Sequence, residues 1–569
     1  MKAALTLSLI FCLPFFALSQ NRYDVVIDEI MADPTPQTGL PNNEWIELKN
    51  TTAAAINLQG WRIGDASGQS GAMPNFILQP DSFVIICTGS AVAAMSALGA
   101  TIPVTSFPSL DNDGDQVFLR AANGKTIHAV AYDLSWYQNE LKKEGGWTLE
   151  MIDTKNPCAG SSNWKSAINP QGGTPGKKNS IDGVNTDQTP PQLKRTYTID
   201  SVTIVAVFDE PLDSTIASNL SNYTIDGGLS ITAANPLSPL FSKLQLKLNP
   251  KMQPNTVYNL TATNIKDCKG NTIGSFNKAK TGLPVDASPL DMAINEILFN
   301  PHSGSYDFAE LFNRGNKIFD ASKIYIANRN SSGVTSSIIQ LAGTPWLIFP
   351  DDYAVVTEDA NSLQQNYFVQ NPDWVFTVSS LPSFPDDKGY VLLLNAQGSI
   401  VDEADYDHHW HFKLINNEEG VSLERIDPAG LSQDATNWHS AASTAGYGTP
   451  TYKNSQYKQT NIIDATIGVI PGIFSPDNDG YDDIATIQYK ITEPGYVANI
   501  TIFDARGRVV RNFVKNGTLG LTGSWNWDGL DEKGNKLPIG TYIIYTEIFN
   551  LQGKKQHFKN TVVLARKLN

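Results

Sequence analysis

Cysteine is scarce in this chain, with four in 569 residues, and Cys12 lies in the apolar stretch at its start. Cys87, Cys158 and Cys268 remain and allow one bond among three pairs. No disulfide framework can therefore hold the molecule together, and stability has to come from large cores. Basic residues are also few, 42 Lys and Arg against 57 Asp and Glu, for a formal net charge of −15. Such a surface repels phosphate backbones, so nucleic acid is not an expected partner. After the first twenty residues no run reaches the roughly 18 apolar residues of a membrane-spanning helix, and no membrane insertion is expected. Long stretches with a 3.6-residue apolar period are missing too; AVAAMSALGA (91–100) is the best helix candidate, and it is short. No P-loop, dinucleotide glycine motif, GxSxG, HExxH or CxxC occurs in a usable context, and GKKNS and GTPG lack phosphate-cradle spacing.

What the chain does have is turn chemistry about every ten residues, with short alternating or β-branched runs between, such as VTIVAVF (202–208), YVLLLN (390–395) and TYIIYTEIF (541–549). These read as an all-β chain of tandem β-sandwiches. The opening MKAALTLSLIFCLPFFALSQ, with Lys2, an apolar run and a small-residue ending, reads as a secretory signal peptide over 1–19, cut after Ser19. Phe11 is too bulky for a lipoprotein box before Cys12. A soluble chain exported through the periplasm is expected, secreted or held at the outer cell surface.

An internal repeat organises the rest. YDVVIDEIMADP (23–34) recurs as LDMAINEILFNP (290–301), and NEWIELKN (43–50) as YDFAELFN (306–313). GWTLEMIDTKNP (146–157) recurs as GVSLERIDPAGL (420–431), SNWKSA (162–167) as TNWHSA (436–441), and GGTPGKKNS (172–180) as YGTPTYKNS (447–455). TDQTPPQL (186–193) and TGLPVDASPL (281–290) bracket a spacer between the copies, and a different unit begins near Ile463.

The blocks VVIDEIMADP, EWIELKN, INLQGWRIGD (56–65) and NW…GGTPG resemble the bacterial lamin tail domain, an Ig-like sandwich. The first copy, 21–180, matches throughout. The second, 288–457, diverges, with DFAEL for EWIEL and KIYIANRN (323–330) for GWRIGD. Divergence of that kind is expected to spare the fold rather than a binding surface. The spacer, 186–286, resembles bacterial Ig-like domains through Phe208, Glu210, Pro211, Leu212, Asp213 and Tyr223. The tail, 463–569, resembles the Ig-like domain of flagellar hook-capping proteins and the sorting domains of type IX secretion, through FSPDNDGYDD (474–483), IFDARGRVVRNF (502–513) and WNWDGLDEKGNKLPIGTYIIY (525–545). The resemblance implies four Ig-like sandwiches in series, typical of exported Bacteroidetes-type proteins. It also implies a non-enzymatic adhesion or scaffold role, with a cell-surface protein, a glycan or outer-membrane secretion machinery as partner. A structural subunit of a secretion or gliding machine and a metal-dependent extracellular hydrolase are the alternatives.

Several residues are candidates for chemistry. FSPDNDGYDD is not an EF-hand, because with Gly480 at the sixth position Ser475 and Thr486 fall where carboxylates belong. Asp477, Asp479, Asp482 and Asp483 could still form a looser calcium cage; the plainer reading is an Asx-rich turn opening the last sandwich. Asp111, Asp113 and Asp115 form a similar cluster, but aligning Val117 with Val391 puts Pro385 and Gly389 where the first copy has Asp111 and Asp115. No cofactor is required by any of this. Glu29/Glu47 and Glu296/Glu310 recur as carboxylate pairs, suited either to acid–base work or to holding a neighbouring loop's backbone. His409 and His411 in YDHHWHF (406–412) would share a strand face and could start a zinc or copper site, although the first copy has YDLSWYQ (132–138) there. Trp136, Tyr137, Trp147, Trp410 and His411 fall in loops, as binding aromatics or as caps on the sandwich ends.

Overall fold

The computed structural model describes residues 20–413, 415, 417–457, 466–477 and 481–566. The signal-peptide reading of 1–19 and the candidate ligand Asp479 lie outside them. Two compact units result: one runs up to Lys251 and includes Tyr258–Lys280, and the other takes Met252–Val257 and the chain from Thr281.

The first repeat is a sandwich. Its larger sheet has the order Trp164–Ser166, Leu149–Met151, Val25–Met31, Trp45–Asn50, Phe83–Thr88, Thr101–Val104. Ile46 and Leu48 enter the main core with Val117, Leu119, Ile127 and Val130 of the smaller sheet. Trp45 points the other way, into a second cluster with Met31, Leu40, Ile85, Cys87 and Met95. Strand period 2 thus sends alternate residues to two different cores, and all seven residues of Val25–Met31 are buried. Part of the outer cover is the short helix Val92–Met95, inside the stretch expected to be helical.

The second repeat has the same order: Trp438–Ser440, Leu423–Arg425, Met292–Leu298, Phe308–Asn313, Tyr353–Thr357, Val375–Thr377. Even the bulge recurs, between Ile27 and Glu29 and between Ile294 and Glu296. One feature is new: the smaller sheet gains an edge strand, Thr335–Gln340, paired with Ile324–Arg329. The helix Ala360–Asn366 is a longer counterpart of Val92–Met95, and it starts where Asp359 accepts from the N–H groups of Asn361 and Ser362. At seven residues it is too short to carry a readable period.

In the spacer, sheets of four and three strands pack together, and its motif has a structural meaning. Phe208 and Leu212 are core residues. Asp213 caps the helix Ser214–Ala217, and the Tyr223 hydroxyl donates to the Ala217 carbonyl at 2.7 Å. The cysteine pairing left open by the sequence is Cys158–Cys268, which ties the spacer to the first repeat; Cys87 is a buried free thiol.

The last sandwich has sheets of five and three strands. Phe474 is buried against Trp527. The strands Thr466–Ile470 and Ile473–Phe474 already precede most of FSPDNDGYDD. The segment is therefore an internal connection of this sandwich, leading to Ala485–Lys490, and does not open it. Ser475 N–H donates to the Asp482 carbonyl at 2.8 Å, and Asp482 has φ +50°.

Candidate functional site

The recurring glutamates sit in a row on the outer face of each larger sheet: Glu47, Glu29 and Glu150, then Glu310, Glu296 and Glu424, as cross-strand partners. Like charges placed this way repel, so something must compensate. The compensation comes from the closing segments 172–181 and 447–456. Thr174 N–H donates to Glu29 Oε1 at 2.8 Å, the Thr174 hydroxyl to Glu150 Oε1 at 2.7 Å, and the Ser180 hydroxyl to Glu150 Oε2 at 2.7 Å. Gly176 N–H donates to Glu47 Oε2. The second repeat copies each bond: Thr449 N–H to Glu296 at 2.8 Å, the Thr449 hydroxyl to Glu424 at 2.8 Å, the Ser455 hydroxyl to Glu424 at 2.8 Å, and Thr451 N–H to Glu310 at 2.6 Å. The approach is so close that a Cβ on Gly173 would lie 2.6 Å from Glu29 Oε1.

Burial and then the neighbouring carboxylates raise Glu29, Glu47, Glu296 and Glu310 well above the usual carboxylate range. All four are fully buried, beyond the reach of a substrate. Of the two sequence readings, the geometry matches the one in which these carboxylates hold a neighbouring loop. It also accounts for the recurrence of the GTP…KNS block, whose Thr, Asn and Ser contact the strands beneath.

An open cleft of about 610 Å³ lies on the second repeat. Asn328, Arg329, Asn330 and Ser331 line one side, Ser383, Pro385, Lys388 and Tyr390 another, and Asp405, Tyr406, Asp407 and Trp410 the rest. Arg329 is fixed by a two-pronged bond to Glu403, at 2.6 and 2.8 Å. Asp405 is raised by partial burial and by Glu403. Trp410 is half-buried, its ring 6.1 Å from that of Trp438. Asn328 to Asn330 belong to the stretch that departs from GWRIGD, and the edge strand Thr335–Gln340 stands where the first repeat has only an isolated bridge, Gly64 to Gln69. The divergence that was expected to spare only the fold is where the cleft is built.

The other candidate aromatics are mostly structural. Tyr137 is 2 % exposed and Trp136 8 % exposed, so of the two sequence readings their burial matches the one in which they cap the sandwich end. Trp136 packs on Trp164 and borders a cleft of about 250 Å³ beside Cys158. Trp147 is half-buried beneath the Lys142 ammonium, 4.2 Å from its ring centre. His411 shares no strand face with His409, because His408–Trp410 is a 3-10 turn. Its ring is buried, its Nδ1 lies 2.8 Å from the Ser440 hydroxyl, and burial depresses its pKa to about 3.

Among the described residues neither acidic loop brings three acids within reach of one ion, whereas two other groups of side chains do come that close. Asp111 and Asp115 have backbone roles. The Asp111 carbonyl accepts from the Tyr132 hydroxyl at 3.0 Å, and Asp115 Oδ1 accepts from Gln116 N–H at 2.6 Å. In the second repeat the Tyr406 hydroxyl reaches the Pro385 carbonyl at 2.9 Å, the position aligned with Asp111.

The first group within reach is Asp407, His408 and His409 at the cleft's rim. His409 Nδ1 is 2.6 Å from Asp407 Oδ1, and His408 Nδ1 is 3.3 Å from Glu418 Oε2. Carboxylates that hold one ring nitrogen leave the other free for a metal such as zinc. The second is Asp187, Glu210 and Asp267 in the spacer, where burial and the two neighbouring acids push Glu210 up to about 8.

Comparison with known families places the two ends of the chain. The model for the Lamin Tail Domain matches residues 19–133, and that for the CHU_C Type IX secretion signal domain matches residues 468–564. The chain carries a lamin tail domain and a type IX secretion signal domain. The lamin tail match stops at the end of the strand Thr126–Asp133, whereas Glu150 and the closing segment that complete this lamin tail sandwich come later.

No curated protein matches. Among solved structures, the N-terminal part of the bacterial S-layer protein SbsC is 18% identical over 29% of this chain and 40% of that one, with a TM-score of 0.16. Latent PorU from Porphyromonas gingivalis is 11% identical over 71% and 35%, with a TM-score of 0.15. A Ca²⁺-stabilised, ice-binding adhesin of an Antarctic bacterium is 9% identical over 96% and 100%, with a TM-score of 0.12. The chain spans less than two thirds of the first two. At these scores the likeness supports neither a shared arrangement nor a shared function. The type IX signal domain implies export to the cell surface or secretion, and no helix among the described residues is long and apolar enough to cross a membrane.

Proposed function

We propose that this chain is a non-enzymatic binding protein, displayed at the cell surface or secreted, whose divergent second lamin-tail-like repeat takes a glycan in the Trp410 cleft. The observation that carries the reading is the composition of that cleft. Trp410 and Tyr390 line it with aromatic rings, while Arg329, Asn328, Asp405 and Asp407 line it with donors and acceptors. Flat aromatics with fixed polar neighbours suit a sugar ring better than an apolar ligand. A rigid sandwich presenting such loops is a common way to build recognition.

Titrating the purified full chain against cell-surface polysaccharide tests it. Trp410→Ala is expected to weaken binding about tenfold or more, the scale of a central aromatic contact, while Trp136→Ala leaves it unchanged. Equal binding by both variants sinks the cleft reading. A metal-dependent hydrolase is the second reading, favoured by Asp407, His408 and His409 at the same rim. Turnover of phosphoesters, nucleic acids or glycans with added zinc or calcium, lost in His409→Ala, would establish it instead.

A further inference from the structure

The two repeats differ at one buried position where a single atom type matters. In the second, Asn295 Nδ2 donates to Glu310 Oε1 at 2.8 Å and to Asn454 Oδ1 at 2.7 Å. The first repeat has Asp28 there, which replaces that amide donor with an acceptor. Its surroundings have not changed to suit. Asn179 Nδ2 donates to the carbonyls of Asp28 and Met151, as Asn454 Nδ2 does to those of Asn295 and Arg425. Asn179 Oδ1 must then point at the residue-28 side chain. Glu47 uses Oε2 for the closing segment, as Glu310 does, which leaves Oε1 facing the same place. Asp28 Oδ1, Glu47 Oε1 and Asn179 Oδ1 are all buried without a hydrogen-bond partner. Asn179 is 7 %, Asp28 1 % and Glu47 0 % exposed.

Three acceptors facing one another need a positive charge or a proton between them. We propose that Asp28 is a proton-binding site, whose retained proton is donated to Asn179 Oδ1 while a second proton, kept on Glu47, is donated to Asp28, so that the two clasp the closing segment 172–181 onto the first repeat. A proton suits the place better than a metal ion. The second repeat fills it with an amide group, similar in size to a carboxylic O–H. Coordination of a hard cation by so few oxygens is also unfavourable.

The charges around Asp28 come from several elements. Lys49 on the neighbouring strand lowers its pKa; Glu150, Asp182 and Asp81 raise it, with burial the largest cause, to about 7. Glu29 and Glu47 are themselves raised, and His128 holds the adjacent Ile27 N–H at 2.8 Å. The sign follows. A carboxyl weaker as an acid in the fold than in the unfolded chain contributes stability that is complete below about pH 4, declines as pH rises, and is gone above about pH 7. The clasp is closed in acid and loosens near neutrality.

Hydrogen exchange on the full chain tests this, reading protection of 174–181 relative to 449–456 in the same molecule. Between pH 5 and pH 7.5 the wild-type ratio is expected to fall by about tenfold or more. His128, His411 and His439 are neutral in the fold throughout this range, but opening frees them to take up protons, so the deciding quantity is the difference made by Asp28→Asn. That variant is expected to keep the ratio flat, and Asn295→Asp to transfer the pH dependence to 449–456. A wild-type ratio independent of pH, or an Asp28→Asn ratio that falls in parallel with it, overturns the proposal. So does a wild-type ratio that responds to calcium or to chelator but not to pH, since the site would then hold a cation.

Discussion

Arg425→Met is expected to destabilise the second repeat by about 3–5 kcal/mol, the usual cost of leaving one partner of a buried ion pair alone. Arg425 is fully buried. It donates to Asp402 Oδ2 at 3.0 Å, to the carbonyls of Ile294 and Gly430, and to the Ser432 hydroxyl. Asp402 in turn accepts the Ile294 N–H at 2.8 Å. The first repeat solves the same problem without charge. Ile27 N–H donates to His128 Nδ1, burial depresses the pKa of His128 to about 4 so that it stays neutral, and Met151 stands where Arg425 does. The double variant Asp402→His with Arg425→Met is therefore expected to recover most of the loss. Exchange protection in Met292–Leu298, referred to Val25–Met31, reads both effects. A single variant as protected as wild type would show that the pair contributes nothing.

Breaking the Cys158–Cys268 bond is the second large effect. The bond closes a loop of 110 residues, for which chain entropy gives about 4–5 kcal/mol. Much of that should appear as loosening of the spacer from the first repeat, where Arg22 Nη1 to the Leu212 carbonyl (2.9 Å), Lys269 Nζ to the Lys155 carbonyl (2.7 Å) and the Thr126–Ser238 hydroxyl pair (2.8 Å) are further polar ties. A Cys158→Ser, Cys268→Ser chain should melt well below wild type, and reductant should lower wild type to the same point while leaving the variant unmoved. Identical melting of both chains would mean that the packing alone sets the interface.

Strand chemistry and the repeat were legible because period 2 and turn residues are local signals, and because five blocks recur in order. Aligning the copies foresaw that Asp111 and Pro385 share a position, and the tyrosine bonds to both carbonyls make that alignment structural. The cleft was harder to see. Asn328 to Ser331 and Asp405 to Trp410 are distant in sequence, and only the pairing of both their strands with Lys388–Asn395 brings them together. Burial was left open for Trp136, Tyr137 and His411 because a loop aromatic that folds inward has the same sequence as one that points out. The third glutamate of each row, Glu150 and Glu424, was missed although it lies in a recurring block; no pairwise spacing reveals that a third strand delivers it beside the other two. The Asp28/Asn295 exchange was visible in the aligned blocks, but it acquires meaning only once Glu47 and Asn179 are seen to face it.

The central claim is that the sandwiches are carried outside the cell by the C-terminal domain. That domain contacts the second repeat through Ser443 to the Thr518 carbonyl and Leu521 N–H to the Ser455 carbonyl, each at 3.0 Å. Localising the chain lacking residues 463–569, beside the full chain in the same cells, tests the claim most directly. Retention of the shortened chain in the periplasm, with the surface and the medium depleted of it, is the expected result. Surface and medium levels equal to those of the full chain would contradict the account.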